Sequence, residues 1–229
     1  MKAVTDTKYY DEIAKTLQRF TGHDISYTPD MMTGGIIDVQ QKASIDGKEE
    51  GIRQGRQDRY NEFWDAIQKN GESVNYQYAF GGGRWSDATF KPKYDLKGTS
   101  FYRCFHSSEI KTIDKVIDAS KATAVGQMFY NAAIENITHL IMPNLTSYSQ
   151  MFQTCTALKN ITVSGIIGAS IDFSDSSKLT PSSVDSIIGT LKQLAEGDDA
   201  RTVTFHKTVK NNMTDSQKAI IQEKGWTLA

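Results

Sequence analysis

Cysteine, proline and histidine are scarce in this chain, and each shortage excludes a class of protein. The two cysteines, Cys104 and Cys155, are too few for the disulfide framework of a small extracellular domain. We expect both to be small buried side chains. None of the four histidines has a second ligand at a metal-binding spacing. The sequence therefore predicts neither a metal site nor a cofactor.

Excess charge of one sign and long apolar runs are also missing. The chain has 26 Lys and Arg against 27 Asp and Glu, a balance that is not typical of a nucleic-acid-binding protein. No apolar run approaches the ~20 residues that span a bilayer, and residues 1–15 lack the apolar core of a signal peptide. We therefore expect no nucleic-acid partner, no membrane insertion and assembly in a cytoplasm.

Catalytic motifs are absent as well. There is no Gly-x-Ser-x-Gly elbow, and Gly81-Gly82-Gly83-Arg84 lacks the Gly-Lys-Ser/Thr ending of a phosphate loop. The close carboxylate pairs, Asp172 with Asp175 and Asp198 with Asp199, lie in Ser- or Gly-rich stretches typical of turns. The sequence predicts that the chain is not an enzyme, with a carbohydrate-active enzyme as a remote alternative.

An internal repeat of about 24 residues occupies positions 101–165. Three apolar columns keep this spacing to within one residue: Ile110, Ile134 and Leu158; Ile113, Ile137 and Ile161; Phe105, Phe129 and Phe152. A unit of this length cannot bury its own apolar side, whereas stacked units bury it in one continuous core. We therefore predict a short repeat solenoid over 101–178, with one strand and one return segment in each unit.

The flanking segments have separate patterns. Residues 1–42 contain a helical stripe and predict a helical N-terminal segment; residues 43–70 predict a helix or connector, with an oligomer stalk as the alternative. Residues 71–100 are rich in aromatics and predict an N-terminal cap with a strand over 76–80, where Tyr and Phe alternate.

Residues 179–229 predict an α/β C-terminal cap. A helix begins at Thr180-Pro181, and its apolar stripe continues to Ala195 before Gly197. A strand at 203–205, a capping box from Thr214 to Gln217 and a last strand at 226–228 follow.

Candidate ligand-facing residues lie between the apolar columns, because the exposed strand face of a solenoid often binds its partner. They are Thr112, Asp114, Asn136, Thr138, His139, Asn160 and Thr162. Trp85 and Tyr78 are added because sugar rings stack on exposed aromatic faces. The alternative is that the aromatic residues of 76–94 form the core of the cap.

The repeat resembles the BspA-like leucine-rich repeats of bacterial surface proteins and of phage or prophage proteins. The resemblance rests on the Phe-x4-Ile/Leu-x2-Ile spacing and on the Met-Phe pairs at Met128-Phe129 and Met151-Phe152. Three further strings resemble the phage-associated group: residues 26–32, residues 55–65, and the closing 179–183 with 224–229.

This resemblance implies an α/β fold with a short leucine-rich-repeat-like solenoid, and a structural or adhesion role in a virion, such as a tail-fibre or baseplate protein. The implied partners are other virion or cell-surface proteins and a host-surface glycan or protein. A homotrimer, common among tail fibres, is left open. A cell-surface adhesin of a bacterium is the alternative. The first unit departs from the family pattern, since Cys104 precedes Phe105 where the Met-Phe pair has methionine.

Overall fold

The computed structural model of the chain describes Asp65, residues 74–82, Trp85 and residues 90–229. The chain divides into two units, Met1–Asn70 and Gly71–Ala229, and all described residues except Asp65 belong to the second. The predicted helical segment 1–42 lies outside the described residues. So does the predicted helix or connector 43–70, apart from Asp65, which is helical.

Four parallel strands form the larger sheet. They are β1 (Leu96–Lys97), β2 (Thr112–Asp118), β3 (Asn136–Met142) and β4 (Asn160–Gly165), and they lie in that order. Ile113 pairs with Ile137, and Ile137 pairs with Ile161. The predicted alignment of this isoleucine column is therefore confirmed: residues 24 apart occupy the same position in neighbouring strands.

Four equivalent turns lie on the side of the layers away from the sheet, at 76–82, 101–107, 125–131 and 148–154. The third residue of each turn has a left-handed backbone, with φ between 53° and 59°: Tyr78, Arg103, Gln127 and Gln150. Alternate N–H groups donate to the next turn along the chain, as from Phe105 to Met128 O (2.8 Å) and from Phe129 to Met151 O (2.9 Å). Successive layers are thus hydrogen-bonded along the turns as well as along the strands.

The predicted strand over 76–80 is wrong, because this segment forms the first of the four turns. Tyr76 and Phe80 are buried and Tyr78 is exposed, so the alternation seen in the sequence is real. Its cause is the turn, in which Ala79 N–H bonds to Tyr76 O at 3.0 Å and Tyr78 takes the left-handed conformation. Strand pairing is limited to the residue just before this segment, Asn75, which forms an isolated bridge with Ser100.

A column of six phenylalanine rings lies in the core. Ring centroids of consecutive members are 5.4, 5.4, 5.3, 4.7 and 5.8 Å apart. Each member is at most 3% exposed: Phe80, Phe105, Phe129, Phe152, Phe173 and Phe205. The column continues past the repeat at both ends, so one apolar core joins the turns to the C-terminal elements.

Helix α1 (Pro181–Thr190) covers the open edge of β4. Two serine hydroxyls of the helix replace a neighbouring strand. Ile161 N–H donates to Ser183 Oγ at 3.0 Å, and Val163 N–H donates to Ser186 Oγ at 2.6 Å. An uncovered strand edge is a site for pairing with other chains, and the helix removes that edge.

A second parallel sheet closes the C-terminal end, in the order β5 (Ile171–Phe173), β6 (Thr202–Phe205) and β7 (Thr227–Leu228). Helices α2 (Lys207–Asn212) and α3 (Asp215–Glu223) connect β6 to β7. The predicted capping box is confirmed, since Thr214 and Gln217 exchange both hydrogen bonds at the start of α3. Gly225, with φ +78°, follows the end of that helix.

The predicted extent of the helix after Thr180 is wrong at its C-terminal end. The helix begins at Pro181 as expected but ends at Thr190. Thr190 Oγ1 donates to Ile187 O at 2.8 Å, and Leu191 then forms an isolated parallel bridge with Ile167. Of the predicted stripe beyond Thr190, Leu191 is buried, Leu194 is half-buried and Ala195 is exposed. The described part of Gly71–Ala229 is therefore an α/β structure of helices and parallel strands, and none of its helices is long and apolar enough to cross a membrane.

Candidate functional site

The seven polar candidates of the repeat all lie on β2, β3 and β4. Thr112, Asp114, Thr138, Asn160 and Thr162 are exposed, and Asn136 and His139 are half-buried. Strand geometry explains this for the residues beside the isoleucine column, because alternate side chains point to opposite faces and the isoleucines occupy the buried one. His139 lies where the register shifts between Ile137 and Leu140, so it follows Thr138 without being buried. The structure thus brings these residues together on one face of the sheet.

Several of these candidates are hydrogen-bonded to one another or to their neighbours. Asn136 Nδ2 donates to Thr112 Oγ1 at 3.4 Å, and Asn160 Nδ2 donates to Asn136 Oδ1 at 2.8 Å. His139 Nε2 is 2.7 Å from Ser164 Oγ. A ladder of this kind fixes the register of neighbouring strands. Asn136, Asn160 and His139 are thus held in fixed positions on this face.

Trp85 and Tyr78 have opposite environments. Trp85 is 1% exposed, and its ring meets Phe80 edge to face at 5.4 Å and Phe90 at 6.1 Å. Its prediction as a ligand-facing residue is wrong, because the ring fills the core of the first layer. Tyr78 is 40% exposed and remains a candidate. For Tyr76, Phe80, Trp85 and Phe90 the core alternative holds.

Tyr78 belongs to a row of side chains on the outer side of the turns, which we call the turn face. Its members are Tyr78, Tyr102, Arg103, His106, Gln127, Tyr130 and Gln150. The Arg103 guanidinium lies 5.7 Å from the Tyr78 ring centroid and 5.4 Å from that of Tyr102. The two tyrosine rings meet edge to face at 5.7 Å. The cation thus lies against both aromatic rings.

Hydrogen bonds and ring stacking hold the rest of the turn face. Arg103 Nε donates to Gln127 Oε1, and Gln127 Nε2 donates to Gln150 Oε1. The His106 ring stacks on Tyr130 at 5.0 Å with 11° between the planes. Side chains held in this way lose little conformational freedom when a partner binds. Tyrosine and arginine are also the residue types that contribute most to binding at protein interfaces.

The sequence-based candidates missed Tyr102, Arg103, His106 and Tyr130. The signal that would have found them is the repeat itself. Residues 78, 103, 127 and 150 are spaced by 25, 24 and 23, so the turn at 76–82 is one more unit of the same period. The alternation of Tyr76, Tyr78 and Phe80 is also typical of a strand, and this hides the equivalence of the segment with the later turns.

The two cysteines are buried and free, and their environment does not favour nucleophilic chemistry. Burial raises the pKa of Cys104 well above its ordinary value. Burial, with a smaller contribution from the Asp175 carboxylate, raises the pKa of Cys155 to about 12. A reactive cysteine needs the thiolate at neutral pH. In both Cys104 and Cys155, burial stabilises the neutral thiol.

Among residues 74–82, 85 and 90–229, no group of three or more His, Cys, Asp or Glu side chains is arranged to hold a metal ion. Comparison of the chain with protein-family models, with curated proteins and with solved structures gave no match.

Proposed function

We propose that this chain is a non-enzymatic structural or adhesion protein of a virion, of the tail-fibre or baseplate type. In this proposal residues 101–178 are a short leucine-rich-repeat-like solenoid, residues 71–100 and 179–229 cap its two ends, and the turn face contacts a protein or glycan. The observation that carries the proposal is the turn face itself: one arginine against two tyrosine rings, continued by Gln127 and Gln150 at the equivalent positions of the next two turns.

The solenoid part of the proposal is supported by the 24-residue register of β2, β3 and β4 and by the equivalent turns between them. In stacked repeats, one side chain per layer forms a row on the surface. Such rows give a binding surface whose position is fixed by the core and not by flexible loops. The virion part rests on the resemblance of the sequence to phage-associated repeat proteins.

The contact surface is tested with a labelled chain and whole bacterial cells. We expect saturable binding, and we expect Arg103→Ala and Tyr102→Ala each to weaken it at least about tenfold, as removal of an interface anchor typically does. Lys218→Ala, an exposed residue on α3, is the matched control and should bind like the wild type. Equal binding by all of these variants would remove the turn face from the proposal.

The virion assignment is tested by mass spectrometry of purified phage particles from the strain that encodes the chain. The proposal predicts that the chain is a particle component at a fixed copy number. Recovery in the washed cell-surface fraction, with none in particles, would favour the bacterial adhesin instead.

A further inference from the structure

A polar cleft at the C-terminal end is separate from the strand face and adjoins the turn face, since Gln150 belongs to the turn face and also lines the cleft. Its volume is about 610 Å³, and it lies between the last turn, β5 and the segment that leads into β6. The residues that line it include Ser147, Ser149, Ser170, Asp172, Asp199 and Arg201. The lining is thus mainly hydroxyl groups, with two carboxylates and one guanidinium.

Arg201 is the unusual member of this lining. Its Nη1 atom is buried and has no hydrogen-bond partner among the residues that the structure describes. Buried polar groups are almost always hydrogen-bonded, and a guanidinium nitrogen most of all, because burying a charge without a partner is costly. The nearby Asp198 carboxylate is already occupied by Lys192 Nζ at 3.1 Å and by Ala195 N–H at 3.0 Å. Nη1 itself is enclosed, so a ligand in the cleft would meet the part of the half-buried Arg201 side chain that lines it.

We infer that this cleft binds a saccharide that carries one carboxylate, such as a uronic or sialic acid residue. Arg201 would bind the carboxylate, since the guanidinium fork matches carboxylate geometry. Asp172 and Asp199 would accept hydrogen bonds from sugar hydroxyls, and Ser147, Ser149 and Ser170 would supply further donors and acceptors. The inference rests on the proposed function, because it names the ligand class of an adhesion protein.

The charges of the cleft lining decide between this ligand and others. Two aspartates beside one arginine repel a phosphate or a polyacidic peptide, which would bring two or more negative charges into the cleft. A single carboxylate can be matched by Arg201 alone. The hydroxyl-rich remainder of the lining suits a ligand with many hydroxyl groups, which an acidic peptide lacks.

The test is a titration of the full chain with methyl β-glucuronide and with the methyl glycoside of N-acetylneuraminic acid. Methyl β-glucoside is the neutral control, and acetate tests the carboxylate alone. We expect at least one acidic sugar to bind at least about tenfold more tightly than methyl glucoside, as for a charge-assisted hydrogen bond. Acetate should bind more weakly than that sugar. Arg201→Gln should abolish the preference, Arg201→Lys should keep part of it, and Lys218→Gln on α3, an exposed residue outside the cleft, should leave it unchanged.

Amide chemical-shift mapping on the wild type makes the result independent of the stability of the variants. Shifts confined to residues 146–150, 168–172 and 199–204 support the inference. Shifts elsewhere, no binding of either acidic sugar, equal binding of acidic and neutral sugars, or an unchanged preference in Arg201→Gln would overturn it. Failure of the sugars to bind while the chain still adheres to cells removes only this inference. Sugar binding by a chain that neither adheres nor occurs in particles removes the proposed function instead.

Discussion

The phenylalanine column predicts that a central ring stabilises the fold more than a terminal one. Phe129 is stacked between Phe105 at 5.4 Å and Phe152 at 5.3 Å, whereas Phe205 stacks only on Phe173, at 5.8 Å, among the described residues. Both side chains are at most 3% exposed. Phe129→Leu and Phe205→Leu remove the same atoms, so their difference isolates one ring contact.

Each aromatic pair contributes about 1 kcal/mol beyond the area it buries, and the smaller leucine costs a further ~1 kcal/mol at either site. We therefore expect Phe129→Leu to lower the free energy of unfolding by about 3 kcal/mol and Phe205→Leu by about 2 kcal/mol. The measurement is urea unfolding followed by circular dichroism, with the slope m compared among the three proteins. If the three m values are equal and Phe205→Leu lowers the free energy of unfolding as much as Phe129→Leu or more, the stacking argument is refuted.

Three further predictions concern close backbone contacts and burial. Gly165→Ala should lower the free energy of unfolding by several kcal/mol, because φ there is +85° and a Cβ would lie 2.3 Å from a backbone oxygen of β3. Gly189→Ala in α1, where the space around the residue is open, should be neutral or stabilising by up to about 1 kcal/mol. Thermal unfolding that ranks the two variants the other way would contradict the strand pairing. Ser186→Ala leaves an N–H of the β4 edge without its partner and should lower the free energy of unfolding by about 1–3 kcal/mol. Ser182→Ala, at an exposed position, should lower it by about 0.5 kcal/mol or less. Similar urea midpoints for the two variants would show that the helix does not cap this edge. Since burial raises the pKa of Cys155 from 9.0 to about 12, the neutral thiol contributes stability that is fully present below pH 9 and is lost as the pH rises through 12. Cys155→Ala should therefore lose less stability than the wild type between pH 8 and 11, and parallel pH profiles would contradict the burial.

The repeat was predictable because its cause is local to the sequence. A stacked layer must place an apolar side chain at the same point in every unit, so the register of the strands can be read from the spacing of Ile113, Ile137 and Ile161. The capping box at Thr214 was predictable for the same reason, since it needs only two residues three apart.

The remaining elements depend on contacts that no local pattern records. Helix α2 is six residues long and buries only Val209, too little for a periodic stripe. The end of α1 is set by the bridge between Leu191 and Ile167, residues that are distant in the sequence. Arg103 was missed because its importance comes from two tyrosines in different layers. Arg201 was missed because nothing in the sequence shows that its guanidinium reaches a cleft.

The central claim is that residues 24 positions apart occupy neighbouring layers of one core. Methyl–methyl nuclear Overhauser effects in a sample labelled at isoleucine test it most directly. Neighbouring parallel strands are ~4.8 Å apart, so strong cross-peaks are expected between Ile113 and Ile137 and between Ile137 and Ile161, with none between Ile113 and Ile161. A cross-peak between Ile113 and Ile161, or the absence of the two expected ones, would contradict the stacked arrangement and the surfaces built on it.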